Sequence, residues 1–188
     1  MARKIIIVDL DRCVGCHSCA VACKQENGVS LGVFYNKVLT VGPSGQYPNL
    51  ELYYLPVTCQ HCDKPECVSV CPTGASFKRQ DGIVLVDHNK CIGCQYCIMA
   101  CPYGVRTYDK AKGVIEKCTL CAHRVDVNET PACVSICPGK ARIFGDLDDP
   151  NSEVSKAVKE AGSSLHRFAD VGNGPGVGYI LKSRKWRS

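Results

Sequence analysis

The sequence lacks a membrane span: the apolar run Ile5-Ile6-Ile7-Val8 falls far short of the ~20 residues that cross a bilayer. It shows no export signal, because Met1-Ala2-Arg3-Lys4 leads through that run straight to Asp9 and Asp11, with no cleavage site or twin-Arg pair. No block of like charge is long enough to make a disordered tail. Aromatic residues are scarce, with four Phe, eight Tyr and one Trp in 188 residues. The 45% hydrophobic content counts the cysteines. Without them it falls to roughly 37%, too thin for an ordinary apolar core. Catalytic constellations are missing as well: there is no Ser–His–Asp order, no phosphate loop, no GxGxxG opening a helix and no defensible pair of carboxylates.

Cysteine is what the chain has in excess, sixteen residues in four sets of four. Set one is Cys13, Cys16, Cys19 and Cys23. Set two is Cys59, Cys62, Cys67 and Cys71, followed by Pro72. Set three is Cys91, Cys94, Cys97 and Cys101, followed by Pro102. Set four is Cys118, Cys121, Cys133 and Cys137, followed by Pro138. No cysteine is left over. Disulfides fit poorly, since cysteine-rich secreted scaffolds are usually shorter and carry a leader.

The spacing suits a [4Fe–4S] cube. Cysteines three apart wrap a turn of chain around one cube, and the fourth, four residues on, reaches the neighbouring cube. Gly15 and Gly93, between the first two cysteines of sets one and three, allow close backbone approach and positive φ. Proline after the fourth cysteine turns the chain away; set one departs from this with Lys24. A zinc ribbon would explain set four alone but not the four sets together. Four cubes also reverse the charge. Sixteen protons leave and four cores of about +2 arrive, so the formal +5 becomes a charge near −3. The basic pI therefore implies no nucleic-acid partner.

The chain repeats itself. Val8–Cys16 matches Val86–Cys94, and Pro65–Pro72 matches Pro131–Pro138, in the order A, B, A, B. Sets two and three are 19 residues apart, joined by two short strands around Asp81-Gly82. Sets one and two are 35 apart. The favoured arrangement nests two with three inside one with four; pairing one with two is the alternative. The expected fold class is α+β: two ferredoxin-like two-cluster modules with short strands, short helices and long cluster-binding loops. The first module would be residues 1–58 plus 110–148, with an insertion at 24–58, and the second 59–109. Residues 149–188 would form a C-terminal helix and tail that contacts a partner. Strands are expected at Lys4–Val8, Leu50–Val57, Val105–Tyr108, Val114–Glu116, Ala141–Phe144 and Val177–Leu181. A helix is expected with Asp149 as N-cap, Pro150 at its first position and Gly162 at its end, and 163–176 as a loop.

Other residues admit two readings. Arg12, Lys90 and Lys117 each precede the first cysteine of a set, where a cation would raise a cluster's potential or simply face solvent. His61 lies inside a Cys-x2-Cys, but no cysteine is missing for it to replace. The end Lys182–Arg187 is basic with one aromatic residue; it would touch anionic lipid or a partner, or lie free or strapped.

The chain resembles the four-cluster iron–sulfur subunit of molybdopterin oxidoreductases of the dimethyl sulfoxide reductase family over nearly its whole length. Cys23-Lys24-Gln25-Glu26-Asn27-Gly28-Val29 is similar to the polysulfide, thiosulfate and arsenate reductase branches, and Cys118-Thr119-Leu120-Cys121-Ala122-His123-Arg124 to the stretched fourth motif. The resemblance implies nesting of one with four and two with three. It implies four [4Fe–4S] clusters on Cys13, Cys16, Cys19 with Cys137; Cys118, Cys121, Cys133 with Cys23; Cys59, Cys62, Cys67 with Cys101; and Cys91, Cys94, Cys97 with Cys71. It further implies a non-catalytic electron-transfer role in anaerobic respiration. The partner would be a large molybdenum or tungsten bis-pterin catalytic subunit, with a quinone-reactive membrane subunit or a soluble donor beyond it. A soluble polyferredoxin-like carrier, or a hydrogenase or formate-hydrogenlyase subunit, is the alternative. Without a leader of its own, the chain would be cytoplasmic, or periplasmic by export with a signal-bearing partner.

Overall fold

The computed structural model describes residues 3–186. In chain order the elements are β1 (Lys4–Asp9), α1 (Ser18–Glu26), β2 (Asn36–Gln46), β3 (Asn49–Thr58), α2 (Glu66–Ser69), β4 (Ser76–Lys78), β5 (Val84–Val86), α3 (Tyr96–Met99), β6 (Thr107–Asp109), β7 (Val114–Glu116), α4 (Ala122–Val125), α5 (Ala132–Ser135), β8 (Arg142–Asp146), α6 (Glu153–Ala161), β9 (Leu165–His166) and β10 (Gly178–Ile180). Short helices and short strands alternate, as an α+β chain should.

One four-stranded sheet organises the molecule, in the order β8-β1-β10-β9. β1 pairs antiparallel with β8 and parallel with β10. Ile5, Ile6, Ile7 and Val8 are all buried because this strand is covered on both faces. Ile5 and Ile7 pack with Val154 and Ala161 of α6. Ile6 and Val8 face the other way, into a core with Cys19, Cys133, Tyr53 and Tyr179. The C-terminal residues thus supply two of the four strands and the covering helix.

Three antiparallel hairpins surround this sheet: β2–β3, β4–β5 and β6–β7. The second turns at Asp81-Gly82, with Gly82 at φ +87°. The first goes beyond the expected strand at Leu50–Val57, which is only its β3 half. Asn36 pairs with Thr58 and Gln46 with Asn49, with a register shift between Val41 and Ser44. That shift accommodates Gly42-Pro43, a pair that makes β2 read as loop in the sequence.

The start of α6 corrects the expectation for that helix. Its N-cap is Ser152, whose Oγ accepts the Ser155 N–H at 3.1 Å. Asp149 instead closes a local turn, accepting the Asn151 N–H at 2.9 Å, so Pro150 lies ahead of the helix. Gly162 ends it at φ +51°, as expected. The stretch 163–176 is mostly loop but contributes β9.

Candidate metal centres

Four short helices carry the paired cysteines. The third and fourth cysteines of each set are four residues apart, on or just beyond α1, α2, α3 and α5. A turn in the left-handed region precedes α1 and α3, at His17 (φ 61°) and Gln95 (φ 65°), which lets the chain curl inward before the helix begins. Gly15 and Gly93 are at φ +66° and +68°. A Cβ on Gly15 would overlap the Tyr54 ring, and one on Gly93 would lie 2.8 Å from the Gly113 carbonyl oxygen.

The sixteen thiols converge in four groups. Cys13, Cys16, Cys19 and Cys137 line one cavity, together with Arg12 and Arg142. Cys71, Cys91, Cys94 and Cys97 line a second, with Arg106. Cys23, Cys118, Cys121 and Cys133 line a third, with Asn27, Asn36 and again Arg142. Cys59, Cys67 and Cys101 are the thiol neighbours of Cys62. Each group takes three cysteines from one set and the fourth from another. Among the described residues, no three of His, Cys, Asp and Glu close to the spacing of a single metal ion.

Hydrogen-bond donors point at the sulfurs. Backbone N–H groups of Leu120, Ser76 and Ala141 approach Cys118, Cys71 and Cys137 at 3.3, 3.4 and 3.3 Å. Asn173 Nδ2 donates to Cys62 at 3.1 Å and Arg106 Nη2 to Cys67 at 2.8 Å. Arg142 reaches Cys133 at 3.6 Å and Cys19 at 3.5 Å. Burial and neighbouring thiols push Cys62 and Cys133 up to about 12, and raise Cys23 still further. Such thiols ionise only when a cationic core neutralises them, as an iron–sulfur cube does. Two buried donors also lack a partner among the described residues: Arg106 Nη1, in the wall of the second cavity, and Asn36 Nδ2, in the wall of the third. Cluster sulfides would supply acceptors to both, so the residues fit the group.

The three cations that precede a set separate. Arg12 and Lys90 are exposed, and Lys90 lies 3.6 Å from Asp87. Lys117 is fully buried and donates to the carbonyl oxygens of Val84 and, at 2.8 Å, Cys118. His61 is buried too; its Nδ1 accepts the Val84 N–H at 3.0 Å, and desolvation holds the ring neutral. The basic end is strapped to its own chain: the Lys182 N–H donates to Asp11 at 2.7 Å, and Trp186 stacks on His166 at 5.1 Å. Arg187 lies outside the described residues. Sequence reasoning missed Arg106, Arg142, Asn36 and Asn173. The two arginines had a signal, since each follows the fourth cysteine of its set by five residues.

Comparison with known proteins agrees with this chemistry. A 4Fe–4S dicluster domain family matches residues 50–147, and a second of the same description matches 12–75. The chain is similar to a dimethyl sulfoxide reductase iron–sulfur subunit of Halobacterium salinarum, at 44% identity over 97% of this chain and 82% of that protein. It is 46% identical to a sulfite dehydrogenase subunit of Allochromatium vinosum, over 100% and 86%. It is 35% identical to the arsenate respiratory reductase iron–sulfur subunit of a Shewanella species, over 93% and 94%. Sixteen cysteines in two dicluster matches make four [4Fe–4S] clusters its cofactors. The chain belongs to the four-cluster iron–sulfur subunits of the dimethyl sulfoxide reductase family.

Proposed function

We propose that this chain passes single electrons between a donor or acceptor and a separate molybdenum or tungsten bis-pterin subunit, and performs no substrate chemistry itself. Each cluster supplies one-electron exchange, and a cube held by four thiolates leaves no open iron site for a substrate. The ligand sets would be Cys13, Cys16, Cys19 and Cys137; Cys23, Cys118, Cys121 and Cys133; Cys59, Cys62, Cys67 and Cys101; and Cys71, Cys91, Cys94 and Cys97. They divide the chain into two ferredoxin-like modules, sets one with four and two with three. The observation that most supports this is the exchange of fourth cysteines among the thiol groups. The relatives' names support the partner, since they are subunits of reductases and a dehydrogenase. Among the described residues no helix is long and apolar enough to cross a membrane, so contact with quinone would need a further subunit.

The test is anaerobic purification through a tag on this chain, with metals and co-purifying chains counted together. About sixteen irons per chain beside a large partner carrying molybdenum or tungsten is the expected result. A nickel-bearing partner would move the chain to a hydrogenase, and a lone iron protein to a free carrier. Zinc in place of iron would overturn the cluster reading.

A further inference from the structure

Three cations are buried where the thiol groups adjoin. Arg106, Lys117 and Arg142 are 4%, 2% and 5% exposed. Among the described residues, none of them is hydrogen-bonded or ion-paired to an Asp or Glu. A buried charge without a countercharge is strongly unfavourable, so each needs an anion nearby. What surrounds them is sulfur.

Arg142 lines both the cavity of Cys13, Cys16, Cys19 and Cys137 and that of Cys23, Cys118, Cys121 and Cys133. One guanidinium nitrogen reaches Cys19 of the former and the other reaches Cys133 of the latter, while Asn36 Oδ1 anchors it at 2.9 Å. Arg106 repeats this in the other module. It lines the cavity of Cys71, Cys91, Cys94 and Cys97, and bonds Cys67 of the remaining group, with Ser76 Oγ as its anchor at 2.8 Å. Both arginines come five residues after a fourth cysteine, Cys137 and Cys101, so the duplication places them equivalently. Lys117 occupies the remaining junction. It bonds the Cys118 carbonyl and faces Cys59 and Cys118, which share one buried cluster with Cys23. The junctions link the four groups in a line: the Cys13 group, Arg142, the Cys118 group, Lys117, the Cys59 group, Arg106, the Cys91 group.

We infer that Arg142, Lys117 and Arg106 are positioning residues for charge, one at each gap between neighbouring clusters, and that each stabilises an added electron on both clusters it separates. This rests on the ligand sets proposed above. An electron arriving at one cluster raises its negative charge, and without the intervening cation it would repel the next electron at the neighbour. A cation shared across the gap lowers that cost on both sides. The cluster that gives the electron and the cluster that takes it then differ little in potential, as a relay in both directions requires.

The experiment is a redox titration followed by electron paramagnetic resonance. It uses the cluster-loaded protein with its partners, as wild type and as Arg142→Gln, Lys117→Met and Arg106→Gln. Each variant should lower two of the four potentials, by about a tenfold weakening of each reduced state, which is 59 mV for a one-electron couple. The pairs must interlock: Arg142→Gln and Arg106→Gln move different pairs, and Lys117→Met moves one member of each. Arg142→Lys, which keeps the charge, should restore both potentials at full iron content. A variant with full iron that moves no potential, or only one, overturns the inference. So does Arg142→Lys with sixteen irons but Gln-like potentials. Fewer than four one-electron steps in the wild type would instead overturn the four-cluster ligand sets.

Discussion

Cys19 and Cys23 lie one turn apart on α1, yet Cys19 opens on the cavity shared with Cys137, and Cys23 on that of Cys118, Cys121 and Cys133. A single helical turn therefore ties two centres together. The expected consequence is separable by spectroscopy. Cys19→Ser should alter the same resonance as Cys137→Ser, and Cys23→Ser the same one as Cys118→Ser, in the anaerobically purified protein. If Cys19→Ser and Cys23→Ser perturbed one common signal, the exchange of fourth ligands would be wrong.

Asp11 ties the C-terminal strap to the start of set one. Partial burial pushes its carboxyl up. The Ser183 hydroxyl and the Lys182 and Ser183 N–H groups outweigh that, holding it below the usual carboxylate value of 3.8. A carboxylate depressed in the folded state contributes stability above its unfolded value and loses it as pH falls through the folded one. The strap should thus hold above about pH 4 and loosen below. Trp186 is the only tryptophan, so its emission reads the strap directly. Asp11→Asn should shift that emission to the red already at pH 7, with iron content unchanged. Emission identical to wild type would show that Trp186 is held by its ring contacts alone.

Helix α6 gives a test of where the chain enters it. Ser152→Ala removes the oxygen that accepts the Ser155 N–H and should cost about 1 kcal/mol in thermal or denaturant unfolding. Asp149→Ala, at an exposed turn before the helix, should change stability by less than about 0.5 kcal/mol. The reverse order of effects would return the cap to Asp149.

Much of this architecture is legible because cysteine spacing is a local signal. Three cysteines at fixed intervals and a fourth one turn later specify a wrapped loop and a short helix wherever they occur. β1 is legible for a similar reason, four apolar residues ending in Asp9. Other features depend on what lies across the chain. β2 contains Gly42-Pro43-Ser44-Gly45 and reads as loop until Leu50–Val57 pairs with it. Arg142 looks like any strand residue until Cys19, 123 positions earlier, is brought to its guanidinium. Lys117 has the same sequence context as Arg12 and Lys90, and only packing against Val84 and Cys59 makes it a buried charge.

Removing the clusters should unfold the molecule unevenly. Two of the three buried apolar clusters include cysteines: Cys19 and Cys133 in one, and Cys23, Cys59 and Cys118 in the other. The third, of Ile5, Ile7, Val154, Ala161 and Ile180, contains none. Without their metal, the first two lose the charge balance that lets crowded thiols and the buried Arg142, Arg106 and Lys117 coexist, whereas the third keeps its hydrocarbon contacts. Amide hydrogen exchange on protein stripped by chelator and oxidant, then reduced under argon, should show lost protection in β4–β5, β6–β7 and the short cysteine helices. Residual protection should survive in β1, β10 and α6. Uniform loss across all elements would mean that the sheet, too, depends on the clusters. Uniform retention would mean that the apolar contacts hold the fold without metal, against the thin apolar content of the sequence.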